Sequence, residues 1–512
     1  MPTNLAENGF PFPHPLGGAP PPLLSLAQRR VCWARYTENV DPLLKILHKP
    51  TVEGLITVRD VHHYKSHPSI GALVQAVCLL AIISMPAKDV SDNLESEKDE
   101  LLRLCAYRLE QALMAANFLD ARDLTTMQAL LLYLYHLKHK EDTKLYGLRG
   151  VTIFLAARLG LNRDRVPSGI SRLEVELRRR LWWQLITLVD HPDDCGIDYA
   201  PPSVGADTRL PLNVNDSELE QPQTCAVGND RKGFTELSFC LMQYEITRLF
   251  NRIRFERAHA SELSKTILNG AEERLHSSRQ RMETQYFQDC DEPSPLAKFA
   301  ADAVAMILTK RRVLMHISPD LSSKSNPLSQ SDYDHLFLLA IHVLELSRAL
   351  QTARNFEKWR WLSGTYFQWS VANFVVKDLA VRQASPATKR AWNVINGILD
   401  SWPEATRNSP KAAVLKGLIA DAVRHRDEQN MWNLGASSSP LDRNDRFVTP
   451  REALRPMNTA DERQRDSHLG WPTHPTRQGQ YLLPSQAVDL DEFFATETSM
   501  YDGNFALDLD MV

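Results

Sequence analysis

From Leu26 to about Arg426, apolar residues recur at three- and four-residue spacing, interrupted by short clusters of Pro, Gly, Ser and Asn. That period puts apolar side chains on one face of successive helices. It predicts helices over 69–85, 97–117, 123–139, 143–160, 172–190, 235–257, 296–316, 332–353, 357–380, 387–401 and 410–426. No alternating run of strand length competes with them, so the expected class is all-α, a large multi-helix domain over 26–430. The polar breaks at 222–233 and 318–331 predict long surface loops. Outside the domain the period vanishes. Residues 1–25 carry seven prolines and predict a disordered arm, and 431–485 are polar and rich in helix breakers, as in a disordered linker.

The segment after Ser171 is the most explicit. Ser171 and Glu174 have the spacing of a capping box, with the hydroxyl accepting from the Glu174 amide and the carboxylate reaching back. Leu173, Leu177, Leu181, Leu185 and Leu188 then form one stripe expected to be buried, to which Trp182 and Val189 add bulk. Glu174 with Arg178 and Glu176 with Arg180 stand four apart and predict exposed ion pairs. The run Arg178–Arg180 is accordingly expected in solvent. Just upstream, Gly160 is placed to end the preceding helix in a left-handed conformation.

Composition excludes several classes. The longest apolar stretch, Ile70 to Ile83, has 14 residues, short of the about 20 that cross a bilayer, so no membrane partner is expected. The N-terminus shows no basic-then-apolar leader, which predicts a reducing compartment. Seven cysteines, spaced at least 15 residues apart, form neither a disulfide framework nor a Cys-x-x-Cys metal knuckle. Lys and Arg number 59 against 63 Asp and Glu. That balance provides no basic footprint for a phosphate backbone.

Few residues suggest reaction chemistry. Asp190, Asp193, Asp194 and Asp198 cluster at a helix end, as do the magnesium-binding acids of all-α terpene cyclases, but their spacing is not Asp-Asp-x-x-Asp and Pro192 interrupts them. His62 with His63, and His136 with His139, lack a third ligand nearby. Phosphate-loop, nucleophile-elbow and His-Glu-x-x-His motifs are absent from the sequence, and no catalytic residue, cofactor or metal site is expected.

One ordered set of motifs has a familiar form. Arg35 to Thr51 opens it, followed by Ala157-Arg-Leu-Gly160-Leu-Asn-Arg-Asp164, then Arg179-Arg180-Leu181-Trp182-Trp183, and finally Leu210-Pro211-Leu-Asn213-Val-Asn215-Asp216. In this order the chain resembles the fungal-specific transcription factor domain, the helical middle region of zinc binuclear-cluster regulators, over roughly residues 30–425. The resemblance implies a nuclear transcription regulator, with Gly160, Arg179, Arg180, Leu181, Trp182, Trp183, Pro211, Asn213, Asn215 and Asp216 as structural signature positions. It also implies DNA reading by a six-cysteine zinc module. This chain has no cysteine before Cys32, so DNA contact is expected to be indirect or through a missing module, and zinc to enter only with such a module. Homo- or heterodimerisation is a further implication. A non-DNA-binding helical scaffold or cofactor of such regulators is the alternative.

The C-terminus adds a feature of its own. Between Gln486 and Val512 there are seven carboxylates and no Lys or Arg, interleaved with Phe493, Phe494, Phe505, Leu507 and Leu509. Such acidic-hydrophobic alternation predicts an activation segment, its acids keeping the apolar side chains solvated until a coactivator groove of the transcription machinery buries them.

Overall fold

The computed structural model describes residues 24–58, 62–164, 169–190, 206–219, 231–258, 265–288, 293–317, 329–363, 368–402, 404–407 and 409–436. All regular structure among them is helical. The helices used below are α1 (Leu26–Arg35), α2 (Asp41–Leu44), α3 (Pro68–Ser84), α4 (Lys98–Ala115), α5 (Leu124–His139), α6 (Lys144–Arg158), α7 (Arg172–Val189), α8 (Asp216–Leu219), α9 (Ser238–Ala258), α10 (Lys265–Met282), α11 (Pro295–Ile317), α12 (Gln330–Thr352), α13 (Trp369–Leu379), α14 (Pro386–Ser401) and α15 (Pro410–Ala436).

Helix α3 is apolar on every side, and from Gly71 to Ser84 every residue is buried. A helix without a polar face must be surrounded, and α1, α4 and α5 surround this one. A second layer packs α12 against α11, α13 and α14, with α15 closing over α13. Helices α7 and α9 pack together between the layers, α7 touching α5 and α9 touching α11. A single apolar core runs through both.

Side-chain caps set most of the starts. Asp123 accepts from the Thr126 amide at 2.8 Å ahead of α5, and Ser329 from the Asp332 amide at 3.2 Å ahead of α12. Ser385 and Thr388 form a reciprocal box before α14. Such caps replace the intrahelical partners that first-turn amides lack.

Several expectations need correction. The predicted helix 357–380 is broken into a 3₁₀ turn at Arg354–Trp359, one α turn at Arg360–Ser363 and then α13. Both indoles there turn inward, Trp359 donating to the Glu38 carbonyl and Trp361 to the Asn39 carbonyl at 3.0 Å. Those anchors hold the chain against the 36–40 turn and deflect it from a straight helix. Helices α1 and α10 were not among those predicted. Of α10, Ala271, Leu275, Ser278 and Met282 are buried, a narrow stripe hidden among Arg and Glu. Element edges also move: Leu24 is already in the core, Ser25 caps α1, α12 begins at Gln330, and α15 runs to Ala436. The arm up to residue 23 and everything after 436, the acidic tail included, lie outside the described residues.

Candidate functional site: a buried ion network

The chain enters the site through α1, which continues as a π turn over Tyr36–Val40 into α2. Pro42 sits in the first turn of α2, and Lys45 ends the helix in a left-handed conformation with φ of 39°. Few non-glycine residues adopt that backbone without a compensating interaction. Here the compensation is electrostatic. The Lys45 side chain is fully buried, and its Nζ lies 2.8 Å from Asp41 Oδ2, 2.7 Å from Asp216 Oδ2 and 2.8 Å from Glu236 Oε2.

Asp216 is the hub. Its Oδ1 accepts from Arg180 Nη1 at 2.8 Å, and its Oδ2 also accepts the Lys49 backbone amide at 3.1 Å. Lys49 Nζ returns to Glu236 at 3.0 Å. Burial favours the neutral acid at Asp216, yet Lys45 and Arg180 together override it and hold this carboxyl well below the usual carboxylate range. Burial likewise disfavours the Lys45 ammonium, and Asp41 and Asp216 outweigh it and raise its pKa. Asp41 shifts upward: its burial is the largest effect, and the attraction of Lys45 does not cancel it.

Of the signature positions named from the sequence, Arg180 and Asp216 belong to this network, and the others brace the segments around it. Gly160 terminates α6 with φ of 72°, the Leu161 amide donating back to the Ala156 carbonyl at 3.0 Å. This is the expected left-handed end. Arg179 grips Asp164 with two bonds, at 2.8 and 3.0 Å, and reaches Glu176 at 2.7 Å. Glu176 in turn accepts the Leu212 amide at 2.9 Å. Trp183 donates from Nε1 to the Arg209 carbonyl at 2.9 Å, while Leu181 and Trp182 are buried in the core. Pro211, also buried, precedes this clasped stretch. Asn213 Nδ2 donates to the carbonyls of Arg231 and Gly233, and its Oδ1 accepts from the hydroxyls of Thr235 and Ser238 at 2.7 and 2.9 Å. Asn215 Oδ1 accepts the Glu236 amide at 3.0 Å. The segment 206–215 has no regular structure of its own and is held by side chains of α7 and by the 231–238 turn.

Four local expectations fail here. Glu176 pairs with Arg179 and not with Arg180, whose guanidinium is fully buried against Asp216. Arg178 and Arg179 are also mostly buried, Arg178 bonding Glu174 at 3.2 Å and the Leu159 carbonyl at 3.1 Å. The triple arginine is thus a set of internal struts. At Ser171 only half the capping box forms: the hydroxyl accepts the Glu174 amide at 3.1 Å, and the Glu174 carboxylate turns to Arg178. Leu173 and Leu177 are only half-buried, because they line an open cleft of about 450 Å³ shared with Val52, Leu55, Leu73 and Leu124.

Sequence reasoning singled out no role for Asp41, Lys45, Lys49 or Glu236. A signal existed for two of them: Asp41 and Lys45 stand alone as charges in the run Val40 to Leu47, otherwise apolar or Pro. Isolated charges in such a run need partners when it is buried.

The rival chemistries find little footing. Asp190 is buried and spends its carboxylate on Arg254 and on Arg311 at 2.9 Å; Asp193, Asp194 and Asp198 lie outside the described residues. His136 and His139 are pushed down to about 3 and about 4, chiefly by burial, and His63 stacks on His67 at 4.4 Å. The side chain of His62 is outside the described residues. Among the described residues no three His, Cys, Asp or Glu side chains converge as metal ligands, and no single helix is long and apolar enough to cross a membrane. Every carboxylate of the network faces a cation, so the site is built to hold segments together.

Residues 33–185 match the family model described as the fungal specific transcription factor domain. The chain carries that domain. Its similarity to named proteins extends further along the sequence. It is 28% identical over 373 residues to "Transcriptional regulator AacuB" of Aspergillus aculeatus, covering 71% of this chain and 50% of that protein. Against "Aurofusarin cluster transcription factor aurR2" of Gibberella zeae it is 26% identical over 380 residues, 72% of this chain and 56% of the relative. "Pyriculol/pyriculariol biosynthesis cluster transcription factor 1" of Pyricularia oryzae aligns at 24% over 451 residues, 84% of this chain and 59% of the relative. The chain therefore spans between half and three-fifths of these relatives. The zinc module of the wider family does not fit the described cysteines: Cys32, Cys78, Cys105 and Cys240 are buried on four different helices. Burial pushes the Cys105 and Cys240 thiols up to about 12, away from the thiolates that zinc requires.

Proposed function

We propose that this chain is a fungal transcription regulator, a pathway-specific activator of a biosynthetic gene group that acts in the nucleus and catalyses no reaction. The observation that carries the reading is the match to the transcription factor domain together with relatives named as cluster transcription factors over most of this chain's length. The network supports a structural role for Arg180 and Asp216, since both are consumed in holding the domain closed. DNA is reached through a module with its own zinc or through a second protein, and residues 486–512 recruit the transcription machinery. Deleting the gene tests the first part: transcripts of one contiguous gene group should fall, and a tagged chain should be recovered on chromatin near them. An unchanged transcriptome with the tagged chain excluded from chromatin would overturn the reading.

The tail is tested by fusing 486–512 to an unrelated DNA-binding domain. Buried apolar area supplies affinity at about 25 cal/mol per Å², whereas exposed acids act through screened attraction. Phe493→Ala/Phe494→Ala and Leu507→Ala/Leu509→Ala should therefore lower reporter output more than Asp508→Asn/Asp510→Asn. A silent wild-type fusion, or full output from both apolar doubles, favours the scaffold alternative.

A further inference from the structure

The leucine stripe of α7 meets two different surroundings. Leu181, Leu185 and Leu188 are buried in the core, whereas Leu173 and Leu177 are half-buried and line the cleft of about 450 Å³. Leu55, Leu124 and Leu159 line the same cleft and are half-buried as well. Five leucines from four segments thus converge on one concavity without filling it. An apolar concavity edged by a few polar groups is the usual form of a small-molecule site, and its volume falls within the range of about 300–1,000 Å³ that such sites occupy. Two of its walls are held by one side chain. Leu55 stands on the helix Lys49–Ile56, whose first amide donates to Asp216 Oδ2 at 3.1 Å. Leu173 and Leu177 stand on α7, which Arg180 ties to Oδ1 of the same carboxylate at 2.8 Å. A cleft preformed in this way spares a ligand the cost of ordering it.

Charge decides which ligand fits. Two guanidinium groups and two carboxylates line the cleft, those of Arg122, Arg178, Asp123 and Glu174. Each is already engaged within the chain: Arg178 bonds Glu174 at 3.2 Å, Arg122 reaches Asp120 at 3.1 Å, and Asp123 accepts the Thr126 amide at 2.8 Å as the cap of α5. These charges balance in sign, so an ionic ligand would have to break one of the pairs and would gain no net attraction. The neutral polar groups of the lining are those of Thr51, Thr125 and Gln128. The structure assigns this cleft to a neutral, mostly apolar small molecule bearing a hydroxyl or carbonyl group, its apolar body on the five leucines and its polar group among the two threonines and the glutamine. Burying that body supplies the affinity, at about 25 cal/mol per Å² of apolar surface removed from water. The assignment stands on the cleft alone and does not depend on the chain being a regulator.

The test titrates the full 512-residue chain, up to ~100 µM, into a fixed low concentration of N-phenylnaphthylamine, a neutral fluorophore whose emission rises when it leaves water. A parallel titration uses its anionic relative, anilinonaphthalene sulfonate. The neutral probe should bind with saturation and at least about tenfold more tightly than the sulfonate. Leu177→Glu puts a carboxylate into the cleft and Leu173→Trp fills it, and each should weaken binding of the neutral probe at least about tenfold. The filled variant keeps the cleft apolar and should melt no lower than the wild type, which separates loss of the site from loss of the fold. Phe154→Glu removes an exposed aromatic ring outside the lining and should leave binding unchanged. No saturable binding, equal affinity for the two probes, a folded Leu173→Trp protein that binds like the wild type, or loss of binding in Phe154→Glu overturns the proposal.

Discussion

Asp216 illustrates how much one buried side chain can control. Asp216→Asn removes the charge that Lys45 and Arg180 share, and both cations remain inside the core. Breaking a buried pair by removing one partner costs about 3–5 kcal/mol, read as a lowered urea midpoint. The pH dependence has a definite sign. Because the folded protein holds this acid below its ordinary range, its contribution is present in full above about pH 5 and is lost as the pH falls below about 4. The variant should lack that part of the acid-induced loss. Asp302 on α11 behaves oppositely. Burial raises its carboxyl to about 6 with no compensating cation, so ionisation on the way to neutral pH costs stability. Asp302→Asn should raise the melting temperature above pH 6, by a gain of at most ~2–3 kcal/mol, and leave it unchanged near pH 4. Equal gains at both pH values would point to repacking instead of charge.

At the level of elements, α7 carries the densest set of duties. Trp182 is almost wholly buried, and Trp182→Ala should cost about 3–5 kcal/mol; a variant that keeps its melting temperature would show that the ring is not part of the core. The position and start of α7 were legible because the leucine period and Ser171 are local signals. The destiny of its arginines was not. On a helical wheel Arg180 looks like any surface charge, and only the return of Asp216 and the turn at Glu236 puts it inside. The same limit applies to Lys45 and Asp41, whose partners lie far along the chain. Period-based reading also joined residues 357–363 to α13, because the inward anchors of Trp359 and Trp361 depend on Glu38 and Asn39 carbonyls more than three hundred residues away. Local structure was thus written in neighbouring residues, and the site was written in distant pairs.

For the molecule as a whole, the stretch matched by the family model, 33–185, is not a closed physical unit. It contains Lys45 and Arg180 but neither Asp216 nor Glu236, and the shell around Trp183 and Glu176 comes from residues 209–212. A protein ending at residue 190 should bind a hydrophobic dye and melt without cooperativity, whereas one ending at residue 436 should retain a single sharp transition by circular dichroism. A cooperative melt in the shorter protein would mean that the network is dispensable for closure.

The distance along the chain between Lys45 and Asp216 also sets a schedule for synthesis. The two are 171 residues apart, and at about 5–20 residues per second the ribosome delivers Asp216 roughly ten to thirty seconds after Lys45. As they emerge within that interval, α1 to α5 can collapse on their apolar faces while Lys45 has only Asp41 to meet its charge. The nascent N-terminal half therefore waits in an unfinished state, open to chaperones and proteases, until segment 206–238 emerges. Slowing elongation between codons 185 and 216 should lower the yield of this protein more than slowing it after codon 300, a difference that pulse-chase labelling would resolve.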